Sequence, residues 1–405
     1  MKNIERRHYI LSGLVAGVLI MAAMAQPVSA VEVNVTAEFK PSMLDPTRTT
    51  FTNTTPRGAY CTWAPAQCEQ AGAYFFDIPL SLQKTYVKGQ DTRDLLYILM
   101  PPPRDVQVTH VGSGEQHTVN IAFNAVSGHL TPGGVDNPAF TVYVQGGCNY
   151  VHTATNSVRV IFGWTLRAHQ VPTPCYSRGD GGENGFTHTY SFQWLGVGTA
   201  ITSPSPLTLR NGTYTGETTY TIGSAGADFD FGNGVTGDSE VTFRFEFTVA
   251  HEFQVNFPSA SPQVNLVPIG GWEQWTQYGK APSSLRQELP FSLTSSSPFS
   301  VALRCEHDAG EGCGIAENVS GTVVPLDVDL TMPGMTETAT NRPARNYLLR
   351  REHADTDPMF APDGYLVGRP SNLRFAVNGA GLTEMLSRPG TQWQGDVTIV
   401  FDTEL

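Results

Sequence analysis

Charge is scarce in this chain of 405 residues: Asp, Glu, Lys and Arg make up only 15% of it, and 25 basic residues are outnumbered by 37 acidic ones. A phosphate backbone needs a basic surface, so nucleic acid is not an expected partner. Broad electrostatic adhesion to anionic lipid is excluded for the same reason. Long apolar runs are confined to one place, Ile10 to Ala25, preceded by Lys2, Arg6 and Arg7 and followed by the small-residue pattern Val28-Ser29-Ala30. This reads as a secretory signal peptide (1–30) cut after about Ala30; an uncleaved anchor ranks below it, because the run is short and a cleavage site follows. No second stretch is long enough to span a membrane, so no membrane insertion is expected. Without Lys2, Glu5, Arg6 and Arg7, 22 basic and 36 acidic residues remain, a formal charge of −14.

Catalytic motifs are missing too. His251-Glu252 is not followed by a second His at metalloprotease spacing, and there is no GxSxG, P-loop or Rossmann fingerprint. Asp230-Phe231-Gly232 stands without the rest of the kinase set and reads as a turn. Asp228, Asp230 and Asn233 offer oxygens, but the glycine and glutamate positions do not fit a calcium loop. No CxxC or paired His suggests zinc. No catalytic residue, cofactor or metal is therefore expected.

Helical periodicity is nearly absent; Asp94–Met100 and Leu382–Ser387 have room for a turn or two. What fills the chain is β-alternation. Val31–Val35, Val119/Ile121/Phe123, Phe140/Val142/Val144, Val158/Val160/Phe162/Trp164/Leu166 and Tyr190/Phe192/Trp194 all repeat with period two. The clearest run is Val241, Phe243, Phe245, Phe247 and Val249. With 40 Gly and 28 Pro supplying turns, the pattern is an all-β sandwich one. A mature length of about 375 residues suggests two domains. The break is placed after Val249: residues 31–249, a linker at 250–252, and 253–405, the last including Phe299–Cys305, Leu326–Leu330 and a closing strand from Trp393. Six cysteines in an exported chain suggest disulfides. Fifteen connectivities are possible; the order along the chain favours neighbours, Cys61–Cys68, Cys148–Cys175 and Cys305–Cys313.

Candidate binding residues are few. Arg57, four residues before Cys61, has the chemistry of an anion donor, for instance to a sialic-acid carboxylate. Arg178-Gly179-Asp180 spells an integrin-type tripeptide in a Gly-rich loop, although a turn is the simpler reading. Among the aromatics near cysteines, Trp63, Tyr150, Trp164 and Tyr176, the strand position of Trp164 suits a core, and the loop-like contexts of Trp63 and Tyr176 suit exposure.

Three segments resemble two-domain tip adhesins of chaperone–usher pili, particularly the alternate class of colonisation-factor and cable-pilus initiator adhesins of Gram-negative bacteria. They are "RGAYCTWAPAQC" (Arg57–Cys68), "QVNLVPIGGW" (Gln263–Trp272) and "GTQWQGDVTIVFDTEL" (Gly390–Leu405). The resemblance implies two tandem immunoglobulin-like sandwiches, the second an incomplete pilin fold lacking its last strand. It implies that Trp393, Val397, Ile399, Phe401 and Leu405 mark the edge where a periplasmic chaperone lends a strand and grips the terminal carboxylate. At the outer-membrane usher the N-terminal extension of the next pilin subunit would replace that strand. The first domain would meet a host glycan or glycoprotein receptor through Arg57, Trp63, Tyr176, Arg178 and Asp180. The family's late arginine pair has no match; "YTIGSAGADFDFG" stands there instead, so the ligand would differ. Two other readings are weighed: an assembly initiator without a receptor, and a secreted β-sandwich enzyme acting on polysaccharide, which would need a carboxylate pair.

Overall fold

The structure, a computed structural model, describes residues 31–403 except 46–47, 90, 132–142, 157–158, 179–183, 260–261 and 354–356. The leader, Phe140, Val142, Val158, Gly179, Asp180 and Leu405 lie outside the described residues. The chain is all-β, with short helices at its loops. Up to Val249, the strands used below are β1 (Val31–Phe39), β2 (Leu82–Val87), β3 (Tyr97–Ile98), β4 (Arg104–His110), β5 (Gln116–Thr131), β6 (Val144–Gly146), β7 (Cys148–Asn156), β8 (Arg159–Leu166), β9 (Cys175–Ser177), β10 (Thr187–Thr202), β11 (Gly212–Gly223) and β12 (Glu240–Val249). One large sheet runs β2-β10-β5-β4-β11-β12-β1, with β8 pairing both β5 and β7; β3-β9-β6 form a small separate sheet. The alternating run in β12 is flanked on both sides: β1 pairs it in parallel, Val31 to Val241 through Phe39 to Val249, and β11 pairs it antiparallel. Two neighbours and a core-facing side leave Val241, Phe243, Phe245, Phe247 and Val249 no more than 2% exposed.

Two expectations for this region are corrected. Asp94–Met100 is not helical: a 3-10 turn covers Thr92–Asp94 and β3 follows. Leu95, Leu96, Tyr97 and Ile98 are all buried, a run with no polar face for a surface helix. The alternation in β10 also breaks, because its register shifts between Phe192 and Trp194. The bulge turns Trp194 toward Tyr60, ring centroids 6.5 Å apart, rather than onto the face of Phe192.

From Phe253 onward the strands are β13 (Phe253–Asn256), β14 (Val267–Pro268), β15 (Ser284–Ser295), β16 (Phe299–Cys305), β17 (Gly312–Glu317), β18 (Val323–Thr331), β19 (Met359–Pro362), β20 (Leu366–Asn378), β21 (Trp393–Gln394) and β22 (Val397–Asp402). One sheet runs β13-β15-β20-β18-β17, with β14 also on β15 and β21 on β17; the other contains β19-β16-β22. Leu285, Phe291 and Val328 from the first meet Phe299, Val301 and Leu303 from the second in one core. The helix Gly379–Leu386 covers part of the expected Leu382–Ser387 turn. All three disulfides join neighbours in sequence, as expected.

Among the described residues no strand pairing crosses from before Ala250 to after Glu252, and the two sides have separate cores. The junction is nevertheless tied down. His251 donates its backbone N–H to Asn211 Oδ1 (2.5 Å), and its ring bridges the Leu209 carbonyl (2.8 Å) and Ser296 Oγ (3.1 Å). Its ring also packs edge-on against Phe39. Burial pulls the imidazole below its ordinary pKa. Glu252 accepts from the Tyr365 hydroxyl, and burial first, then this bond, pushes that phenol up to about 12.

Candidate functional site

Among the described residues β22 has one neighbouring strand. It pairs antiparallel with β16 from Val397–Cys305 to Asp402–Ser300, without a register break. Among the described residues no strand pairs with its other side. In β16, Val301 and Leu303 donate away from β22, to the carbonyls of Pro358 and Arg350. Ser300, Ala302 and Arg304 therefore exchange hydrogen bonds with Asp402, Val400 and Thr398. The intervening Val397, Ile399 and Phe401 aim their N–H and C=O groups at the outer edge. The same three residues point their side chains at the core, yet each is only half-buried. The strand carries no Lys, Pro or bulge to deter pairing.

The opposite sheet ends in the same way. Along β13 and the segment to β14, Phe253, Val255, Phe257, Val264 and Leu266 alternate with exposed residues and are half-buried against the same core. Rings connect the two edges: Phe401 lies 6.2 Å from Phe253, 6.1 Å from Phe291 and 6.0 Å from Phe299. The sandwich is thus open along one side, between β22 and β13–β14. An extended segment laid there would hydrogen-bond β22 and cover a double row of apolar side chains, each fully buried one contributing about 1.5–3 kcal/mol.

The resemblance implied that Trp393 lies on this edge, and that is corrected. Its strand, β21, pairs with Glu317 and Ala316 on the other sheet, and its indole donates to Thr391 Oγ1 at 3.0 Å. The chain changes sheets at Gly395, where a Cβ would sit 3.0 Å from the Gly314 carbonyl oxygen. Within Gln263–Trp272 only Val267–Pro268 pair with β15, at Arg286 and Leu285.

The residues suggested for receptor contact fall into separate neighbourhoods. Trp63 ends a short helix, Ala59–Trp63, whose first N–H is received by Asp77 Oδ2 at 2.9 Å. It stacks on His152 at 5.3 Å and remains 37% exposed. Next to His152 on β7, Tyr150 is 43% exposed and pairs with Tyr143 at 6.2 Å. Arg178 donates its backbone N–H to the Tyr143 carbonyl at 3.2 Å, which brings it to the same rim. Tyr176, on β9, is half-buried over β6, where it opposes Gln145. Arg57 belongs elsewhere, its guanidinium 5.4 Å over Tyr74. Trp164 is core, as its strand position implied.

Asp91, Arg93 and Tyr97 were not singled out by sequence, since Tyr176, Asp230 and Asn233, which complete their surroundings, lie far along the chain. Beside Tyr176 they line a shallow cleft. Arg93 stacks over Tyr97 at 4.8 Å and holds buried Asp230 with two bonds of 2.8 and 2.7 Å. Asp228 is likewise held by Arg104 at 2.7 Å, so the carboxylates of the supposed calcium loop are committed to arginines. Behind them Lys84, 1% exposed, donates to the carbonyls of Arg93 (2.8 Å), Phe231 (3.0 Å) and Asn233. Burial draws this ammonium down to about 8.

No family model matches the chain, and no curated protein matches it. Among solved structures, a chain from a chaperone–tip adhesin complex of CFA/I fimbriae biogenesis aligns over 92% of this chain and 96% of its own, at 9% identity and a TM-score of 0.25. A chain from the chaperone–tip adhesion subunit pre-assembly complex of the archaic chaperone–usher Csu pili of Acinetobacter baumannii aligns over 92% of this chain and 99% of its own, at 10% identity and a TM-score of 0.22. Superpositions this loose carry no weight for function.

Proposed function

We propose that this protein is a non-enzymatic tip subunit of a chaperone–usher pilus. Residues 31–249 form a receptor-binding domain and residues 253–405 a pilin domain that accepts a strand from another chain. One observation carries the reading: among the described residues no strand pairs with the outer edge of β22, which stands in front of half-buried Val397, Ile399 and Phe401. A self-sufficient domain covers such an edge or interrupts it with charge, proline or a bulge. The strand comes first from a periplasmic chaperone and then, at the outer-membrane usher, from the N-terminal extension of the next subunit. The exported chain ends at the pilus tip, where its first domain meets a host glycan or glycoprotein.

The test is expression of the mature chain with and without an alternating apolar strand appended after Leu405 through a flexible linker. The expected result is aggregation or degradation of the plain chain and soluble monomer with the appended strand. A plain chain that is soluble, monomeric and as heat-stable as the extended one overturns the proposal.

A further inference from the structure

The cleft beside the Cys148–Cys175 disulfide has a volume of about 500 Å³ and takes no part in the open edge. Its charges are unequally available. Both terminal nitrogens of Arg93 are engaged by Asp230, and the Lys84 ammonium is buried against three carbonyls. Asp91, by contrast, is exposed on the rim. It accepts from the Arg93 N–H at 2.9 Å and from Asn233 Nδ2 at 3.3 Å, which leaves acceptor capacity on both oxygens. An anionic ligand would meet this carboxylate with Arg93, the cationic residue of the lining, and Lys84 behind it already committed, and like-charge juxtaposition rejects partners.

The remaining lining includes the rings of Tyr97 and Tyr176 among threonine hydroxyls. The half-buried Tyr176 ring lies over Gly146, whose φ of +79° and lack of a side chain permit the approach; a Cβ there would come within 2.1 Å of the Pro174 carbonyl oxygen and 3.0 Å of the ring. Thr92 and Thr173 stand beside it. A ring face for a C–H surface, with a carboxylate and hydroxyls to fix orientation, suits a saturated ring bearing many hydroxyls.

We propose that this cleft binds an uncharged pyranose at the end of a neutral glycan, and discriminates against sialylated or sulfated sugars. The inference rests on the receptor-binding half of the function proposed above. It is tested by applying the full mature chain to an array carrying the same oligosaccharides in neutral and sialylated form. Neutral forms are expected to bind, with little change between about 50 and 500 mM salt, since no ion pair with the ligand is screened. Tyr176→Ala should weaken binding roughly tenfold by removing the ring, at a modestly lowered melting temperature because the half-buried ring also packs on the core. Asp91→Asn should weaken binding roughly threefold and Tyr176→Phe should retain it, both with unchanged melting temperatures. Preference for sialylated forms, or neutral-glycan binding that Tyr176→Ala leaves intact, overturns the cleft and leaves receptor binding standing. Absence of binding to either form, by a chain that still captures a donor strand, overturns the cleft and the receptor together and leaves the strand-accepting role standing.

Discussion

β12 and β22 have the same sequence grammar and different fates. Both alternate β-branched and aromatic residues with polar ones, except that Val400 interrupts the pattern in β22. In β12 the inward residues are sealed, because β1 and β11 take both its edges. In β22 Val397, Ile399 and Phe401 stay half-buried, because β16 takes one edge and no described strand takes the other. The contrast locates the open edge: burial of a strand depends on its neighbours as much as on its own residues.

The strongest way to break this comparison is a large-to-small substitution in each strand. Phe245→Ala should destabilise the protein by about 3–5 kcal/mol in denaturant unfolding, since the ring is fully buried and leaves a cavity. Ile399→Asp should weaken capture of a donor-strand peptide at least roughly a hundredfold, about 2.7 kcal/mol, by placing a carboxylate in the apolar row. Normal capture by this variant would count against the open-edge reading. Replacing Cys305 and Cys313 with Ser, which unties β16 from β17, should cost about 2–3 kcal/mol for so short a loop. Phe401→Ala should cost only about 1–2 kcal/mol in the free chain, less than Phe245→Ala because its ring is half-buried. Its effect should grow once a donor strand is bound, and an unchanged difference would argue that the strand lies elsewhere.

The smallest effect concerns the junction. Burial holds His251 below its ordinary pKa, so the unfolded chain binds the proton more readily than the folded one. The stability this contributes is present above the ordinary histidine range and is lost as pH falls through it. Thermal midpoints measured across that range should decline toward acid, and His251→Gln should flatten the decline; His129, also lowered by burial, supplies a remainder.

Much of this was legible along the chain. Period-two alternation named β1, β5, β8 and β12, and the order of cysteines named the disulfides, because both depend on residues near in sequence. The flip of Trp194 was not legible, since a bulge is set by the partner strand. Nor was Trp393: its alternation with Val397 and Ile399 looks continuous, and only the sheet change at Gly395 separates them. Of the residues suggested for receptor contact, Tyr176 lies in the cleft and Trp63 and Arg178 on the aromatic rim, whereas Arg57 lies beside Tyr74.

By itself the sequence determined that this chain makes strands, that its cysteines pair locally and that its surface carries net negative charge. These follow from local periodicity, spacing and composition. Only the tertiary structure decided which strand edge stays open and which residues share a cleft. The open edge is fixed by the count of neighbours around β22. The cleft is fixed by Asp230 and the peptide carbonyls around Lys84, which engage Arg93 and Lys84 and leave Asp91 exposed on the rim.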